Sequence, residues 1–222
     1  MVLKFFMMMA LCGWCTAQQH VTLNAQDGGV VHANVYGKGK RGIVLAHGGR
    51  FTKESWSKQA QVLVGAGFHV IAIDFRGFGE SSGPGQADFF TAPHNLDILA
   101  AVMYLRRNGA KTVSLVGGSF GGDAAAQVMA DLKPGEIDRL VLLATEPDAP
   151  PEKLHGRKLF IVARDDSNGA GPRLPGIRAY YEKTLEPKEL MIVEGKAHAQ
   201  FLFETDQGDQ VMGAILRFLT AK

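Results

Sequence analysis

Six short apolar runs, rich in branched aliphatic residues, constrain this chain more than any other feature. They are GIVLA at 42–46, HVIAI at 69–73, VSLV at 113–116, LVLL at 140–143, LFIV at 159–162 and LMIV at 190–193. A strand with one wet face alternates apolar and polar residues, whereas an unbroken run suits a strand covered on both faces of a parallel sheet. Helical spacings lie between the runs. Trp56, Ala60 and Leu63 stand four and three apart before Gly65 and Gly67; Ile98, Val102 and Leu105 do the same before Arg106, Arg107 and Gly109. Val211, Ile215, Leu216 and Leu219 give a final amphipathic helix. Upstream, residues 20–24 and 30–36 flank Asp27-Gly28-Gly29, as in an antiparallel hairpin. The pattern predicts one α/β domain: a mostly parallel central sheet, entered through a hairpin, with helices on both faces. Working residues are then expected on loops at the carboxyl ends of the strands.

The domain is read over residues 18–222. Residues 1–17 have the layout of a secretory signal peptide: Lys4, an uncharged stretch over 5–14, then Cys15-Thr16-Ala17 with small residues at the cleavage positions. The stretch is too short to span a membrane, which takes about 20 apolar residues. Trp14 and Leu11 precede the two cysteines where a lipoprotein signal wants a small residue, so lipidation is not expected. Cleavage after Ala17 would leave a cysteine-free mature chain beginning at Gln18, periplasmic or secreted, without stable membrane insertion and without disulfides. Lys and Arg number 24 against 22 for Asp and Glu, which gives no broad basic field for nucleic acid. Nothing in the sequence specifies an oligomeric state.

Gly117-Gly118-Ser119-Phe120-Gly121-Gly122 follows the run ending at Val116 and precedes the helical stretch 124–129. A G-x-S-x-G segment between strand and helix is a nucleophile elbow, in which the turn is so tight that only small flanking residues fit. The competing reading is a glycine-rich phosphate loop. The dinucleotide fingerprint would need glycine where Ser119 stands, and the Gly-Lys-Ser/Thr of a P-loop is absent. A serine nucleophile needs a base, and the base an orienting carboxylate. His198 lies just past the last apolar run and Asp166 just past the run 159–162. Ser119, Asp166 and His198 thus follow three different strands at one end of the sheet.

With these segments the chain resembles the α/β-hydrolase superfamily, in its serine esterase-like branch, over essentially all of residues 20–222. Ala46-His47-Gly48-Gly49 and Asp74-Phe75-Arg76-Gly77-Phe78-Gly79-Glu80-Ser81 match further. The resemblance implies an oxyanion hole from the backbone amides of Gly49 and Phe120. It implies structural, loop-shaping roles for His47 and the Asp-x-Arg-Gly segment. It places the acid at Asp166 through the spacing from Ala163, where relatives usually carry glycine. Asp165 is then expected to point elsewhere, and Glu146 and Asp148 are the alternative acids after the run 140–143.

Only about fifteen residues separate that run from the next, too few for an inserted helical lid. This disfavours a lipase with a hinged cover. The serine at the elbow sets the chain apart from relatives with aspartate (haloalkane dehalogenases, epoxide hydrolases) or cysteine (dienelactone hydrolases) there. His20, His32, His69, His94 and His155 show no paired ligand spacing, so no metal and no cofactor is expected, and most are read as surface or loop residues. Arg50 is read as a surface or loop-bracing ion-pair partner rather than a substrate contact. The expected function is hydrolysis of a small-molecule carboxylic ester, with thioester or small-amide hydrolysis, or non-catalytic binding on the same fold, as alternatives.

Overall fold

The computed structural model describes residues 18–221. The signal segment expected at 1–17, with both cysteines, lies outside them. An eight-stranded sheet forms the centre, with β1 (Gln19–Asn24) and β2 (Val30–Tyr36) joined as the expected hairpin. The remaining strands are β3 (Arg41–Ala46), β4 (Phe68–Ile73), β5 (Thr112–Gly118), β6 (Arg139–Leu143), β7 (Arg157–Ala163) and, after a two-stranded ribbon, β10 (Lys188–Val193). That ribbon is β8 (Ser167–Asn168) with β9 (Gly171–Pro172). The sheet order is β1-β2-β4-β3-β5-β6-β7-β10. Pairings from β4 to β10 are parallel, and β2 enters antiparallel to both its neighbours.

Successive residues of one strand feed two separate cores, which is why the runs are unbroken. Val44 and Ala46 pack on one face with Ile98, Val102 and Leu105 of α2 (His94–Arg107) and Ala125 and Met129 of α3 (Phe120–Asp131). Ile43 and Leu45 pack on the other with Trp56, Leu63 of α1 (Ser57–Gly65), and Val211, Ile215 and Phe218 of α5 (Gly208–Thr220). All of these side chains are buried. Burying a Leu, Ile, Val or Phe is worth about 1.5–3 kcal/mol, so each strand residue contributes on its own side. The helix α4 (Leu174–Lys183), which the periodicity reading passed over, buries Ile177 and Tyr180 against the first core.

Chain direction determines where the site lies. From β3 the chain moves through α1 to β4, on one side; it then returns through α2 to β5, on the other side of β3. The helices therefore diverge between β3 and β5, leaving a crevice beyond their carboxyl ends, the usual ligand position in open α/β sheets. The loops carrying Gly49 and Ser119 both open there.

Candidate active site

Ser119 occupies the turn between β5 and α3 with φ 53° and ψ −125°. An L-residue held in this region stores on the order of 1–3 kcal/mol of strain and persists only where its surroundings over-determine it. Here they do. A Cβ on Gly117 would fall on the Gly121 carbonyl, and one on Gly121 would fall on the carbonyl oxygen of His47. The Ser119 amide donates to Leu143 O at 2.9 Å, and the Ser119 carbonyl accepts from Gly122 N at 2.9 Å. The Thr145 hydroxyl lies 3.0 Å from Ser119 O and 3.1 Å from Leu143 O, tying the elbow to the end of β6.

Asp166 and His198 meet. His198 Nδ1 lies 2.8 Å from Asp166 Oδ2. A carboxylate only accepts, so the proton sits on Nδ1 and the Nε2 lone pair is left free. The Asp166 side chain is almost fully buried, while that of His198 remains 29% exposed, so water can reach the imidazole. The two loops are laced together by Asp165 N donating to Gly195 O at 2.8 Å and Arg164 N to Val193 O at 2.8 Å. Asp165 itself is exposed, as expected beside a buried Asp166. Glu146 and Asp148, the alternative acids, are also exposed, and Asp148 uses its amide to bond Asp123 Oδ1 at 2.7 Å.

The loop after β3 is built around His47, fully buried. Its Nδ1–H donates to Gly48 O at 2.9 Å, and its Nε2 accepts from Phe75 N at 3.3 Å. Burial lowers its pKa, consistent with a neutral ring holding both bonds. Gln200 adds a brace that sequence reading missed: its Oε1 accepts from Gly48 N at 3.2 Å and its Nε2 donates to Ser55 Oγ at 3.2 Å. Asp74 accepts from Lys53 N and Nζ, at 2.7 and 2.5 Å. Arg76 is clamped between Asp97 and Asp27. These partners make the Asp-x-Arg-Gly segment structural. The Phe120 ring is caged by Phe75, Phe78, Phe89 and His94, with centroids 4.7–5.7 Å away. Burial and then Arg76 lower the His94 pKa to about 4, so this histidine is a neutral wall. As the first residue of α3, Phe120 has an amide without an intrahelical acceptor. Among the described residues neither it nor the Gly49 amide donates to a partner.

Gly49, Ser119, Phe120 and His198 line one cavity of about 290 Å³, walled by Phe51, Phe89 and Phe201. Two arginines share it. Arg50 was expected to be paired, but it has no ion pair among the described residues and lines the cavity instead. Arg173 was not singled out in the sequence. Its Nε is buried without a hydrogen-bond partner, 3.6 Å from Asp166 Oδ1. Of the remaining histidines, His69 and His94 are buried, against expectation, whereas His20 is exposed and His155 lies in a loop, as expected; the ring centroids of His20 and His32 are 5.3 Å apart.

The alpha/beta hydrolase fold family matches residues 43–178. A non-heme haloperoxidase of Rhodococcus erythropolis is 33% identical over 128 residues, covering 56% of this chain and 44% of the relative. An AB hydrolase superfamily protein of Bacillus subtilis is 31% identical over 133 residues, 60% of this chain and 44% of the relative. The chain thus spans less than half the length of these relatives. An esterase of Pyrococcus furiosus superposes with a TM-score of 0.76 at 16% identity, over 92% of this chain and 90% of the other. An esterase of Exiguobacterium antarcticum gives 0.74 at 15%, over 91% and 100%. Sheet order, elbow and sequence match agree: the chain belongs to the alpha/beta hydrolase fold family.

Proposed function

We propose that the protein hydrolyses small carboxylic esters through an acyl-enzyme on Ser119. The observation that carries this reading is the 2.8 Å Asp166–His198 bond in a cavity shared with the strained elbow serine. His198 Nε2 takes the hydroxyl proton as Ser119 attacks the carbonyl, and Asp166 stabilises the imidazolium. The Gly49 and Phe120 amides receive the oxyanion; one such donor is typically worth about 3 kcal/mol. His198 then protonates the leaving alcohol and activates water for deacylation. A thioester or small amide would use the same groups. The serine at the elbow favours the ester over the epoxide chemistry named for a relative 32% identical over 79 residues; the esterases, at 16% and 15% identity, share the fold. We also place the mature protein outside the cytoplasm, on the signal layout alone.

Turnover of p-nitrophenyl acetate and butyrate, together with fluorophosphonate labelling mapped to Ser119, tests the reading. Absence of both would leave the non-catalytic alternative standing.

Arg50, without an ion pair among the described residues, places positive charge in the cavity, while the charge of Arg173 faces Asp166; this favours esters whose acyl group also carries a carboxylate. Arg50→Gln is expected to lower kcat/KM for a p-nitrophenyl succinate monoester by roughly tenfold or more, the scale of one lost charge-assisted hydrogen bond of about 1.5 kcal/mol. Turnover of the neutral acetate ester should stay within about twofold. Equal losses on both esters would show that Arg50 shapes the loop rather than selecting charge.

A further inference from the structure

We propose that His20, His32 and Glu80 form a binding site for a divalent transition metal of the zinc class. None of the three lines the Ser119 cavity, so the site is separate from the proposed ester chemistry. Three elements deliver the donors: β1 carries His20, β2 carries His32, and the loop after β4 carries Glu80.

Geometry leads to the proposal. His20 Nε2 is 3.1 Å from His32 Nδ1, and Glu80 Oε2 is 3.8 Å and 3.6 Å from the same two nitrogens. The circle through three atoms so spaced has a radius of about 2.0 Å, matching zinc–imidazole and zinc–carboxylate bond lengths. An ion close to that centre would bind all three and keep a fourth position for water. Ordinary ion pairing does not require both rings on one carboxylate oxygen.

The surroundings prepare the donors. His20 Nδ1 faces Asn34 Oδ1 at 3.3 Å. An amide oxygen only accepts, so the ring proton stays on Nδ1 and Nε2 presents its lone pair; hydrogen bonds of this kind orient histidine ligands in metal sites. In the metal-free protein, His32 Nδ1–H donates to that lone pair. Binding shifts the His32 proton to Nε2, and the ion takes its place between the rings.

Glu80 comes from an anchored loop. The neighbouring Ser81 Oγ accepts from His32 N and donates to Asp74 O, both at 2.8 Å, while Ser82 bridges Val30. Two imidazoles and one carboxylate suit zinc, copper or nickel; calcium and magnesium prefer all-oxygen shells. The described residues contain no cysteine, and an ion here would fasten the edge strand to its neighbour and to the loop.

Zinc titration of the chelator-washed protein by calorimetry, with thermal melting alongside, is the test. One equivalent should bind with a Kd of order micromolar or tighter and raise the melting temperature, while magnesium does neither. His20→Ala and His32→Ala should each weaken zinc binding by roughly tenfold to a hundredfold. Glu80 is exposed, so Glu80→Gln should weaken binding about tenfold while leaving the metal-free melting temperature unchanged, which separates ligand loss from misfolding. No binding to the wild type, or the same affinity in His32→Ala and Glu80→Gln, would overturn the proposal.

Discussion

Replacing Ser119 by alanine should lower kcat by on the order of 10⁴-fold or more and abolish fluorophosphonate labelling, because the members of a catalytic triad act as a unit. The fold should persist. The strain at φ 53° is set by the backbone, and alanine occupies that conformation as well as serine does. The anchors of the turn are main-chain bonds to Leu143 and Gly122 and the Thr145 hydroxyl; none involves the Ser119 side chain. A change of 1 kcal/mol moves the melting temperature of a domain this size by about 2–4 °C, and the shift should be no larger. Calorimetry beside steady-state kinetics separates the effects. Undiminished turnover in the alanine variant would remove the acyl-enzyme mechanism.

The second large effect is expected from Asp166→Asn, a loss of about 10⁴-fold in kcat with the cavity intact. Asparagine can turn its amide N–H₂ toward His198 Nδ1. The imidazole would then carry its proton on Nε2 and offer Ser119 a donor where an acceptor is required. Asp165→Asn and Asp148→Asn, at exposed positions whose side chains do not bond His198, should stay within a few-fold of wild type. A crippled Asp148→Asn variant beside an active Asp166→Asn variant would move the acid to the end of β6.

Most of the sheet was legible in the sequence because burial on two faces leaves runs that contain no competing period. Each of the six runs lies within a strand of the sheet, with ends displaced by no more than two residues. The helix α4 was less visible: Pro175 and Gly176 interrupt its first turn, although Ile177, Tyr180 and Tyr181 keep helical spacing. Ser119, Asp166 and His198 could be picked out because each follows a strand. Gln200 could not, because its role rests on contacts with Gly48 and Ser55, far away in the chain; Arg173 lies close after Asp166 but belongs to no motif, and only the fold places it in the cavity beside that carboxylate. His20 and His32 were hidden for a similar reason. In the hairpin register His20 faces Asn34 and His32 faces Thr22, so the two rings meet diagonally and no linear spacing announces them.

The sheet order has a consequence for heat inactivation. Ser119 follows β5, a strand flanked on both sides, whereas His198 follows β10, an edge strand bonded only to β7 and partly exposed along its length. Edge elements open locally at a smaller free-energy cost than the centre of a sheet. Brief fraying of β10 would withdraw the imidazole while the elbow stays formed. Warming would then silence the protein below its melting transition, and prompt cooling would restore activity. The half-life at elevated temperature would be governed by how firmly β10 stays zipped to β7.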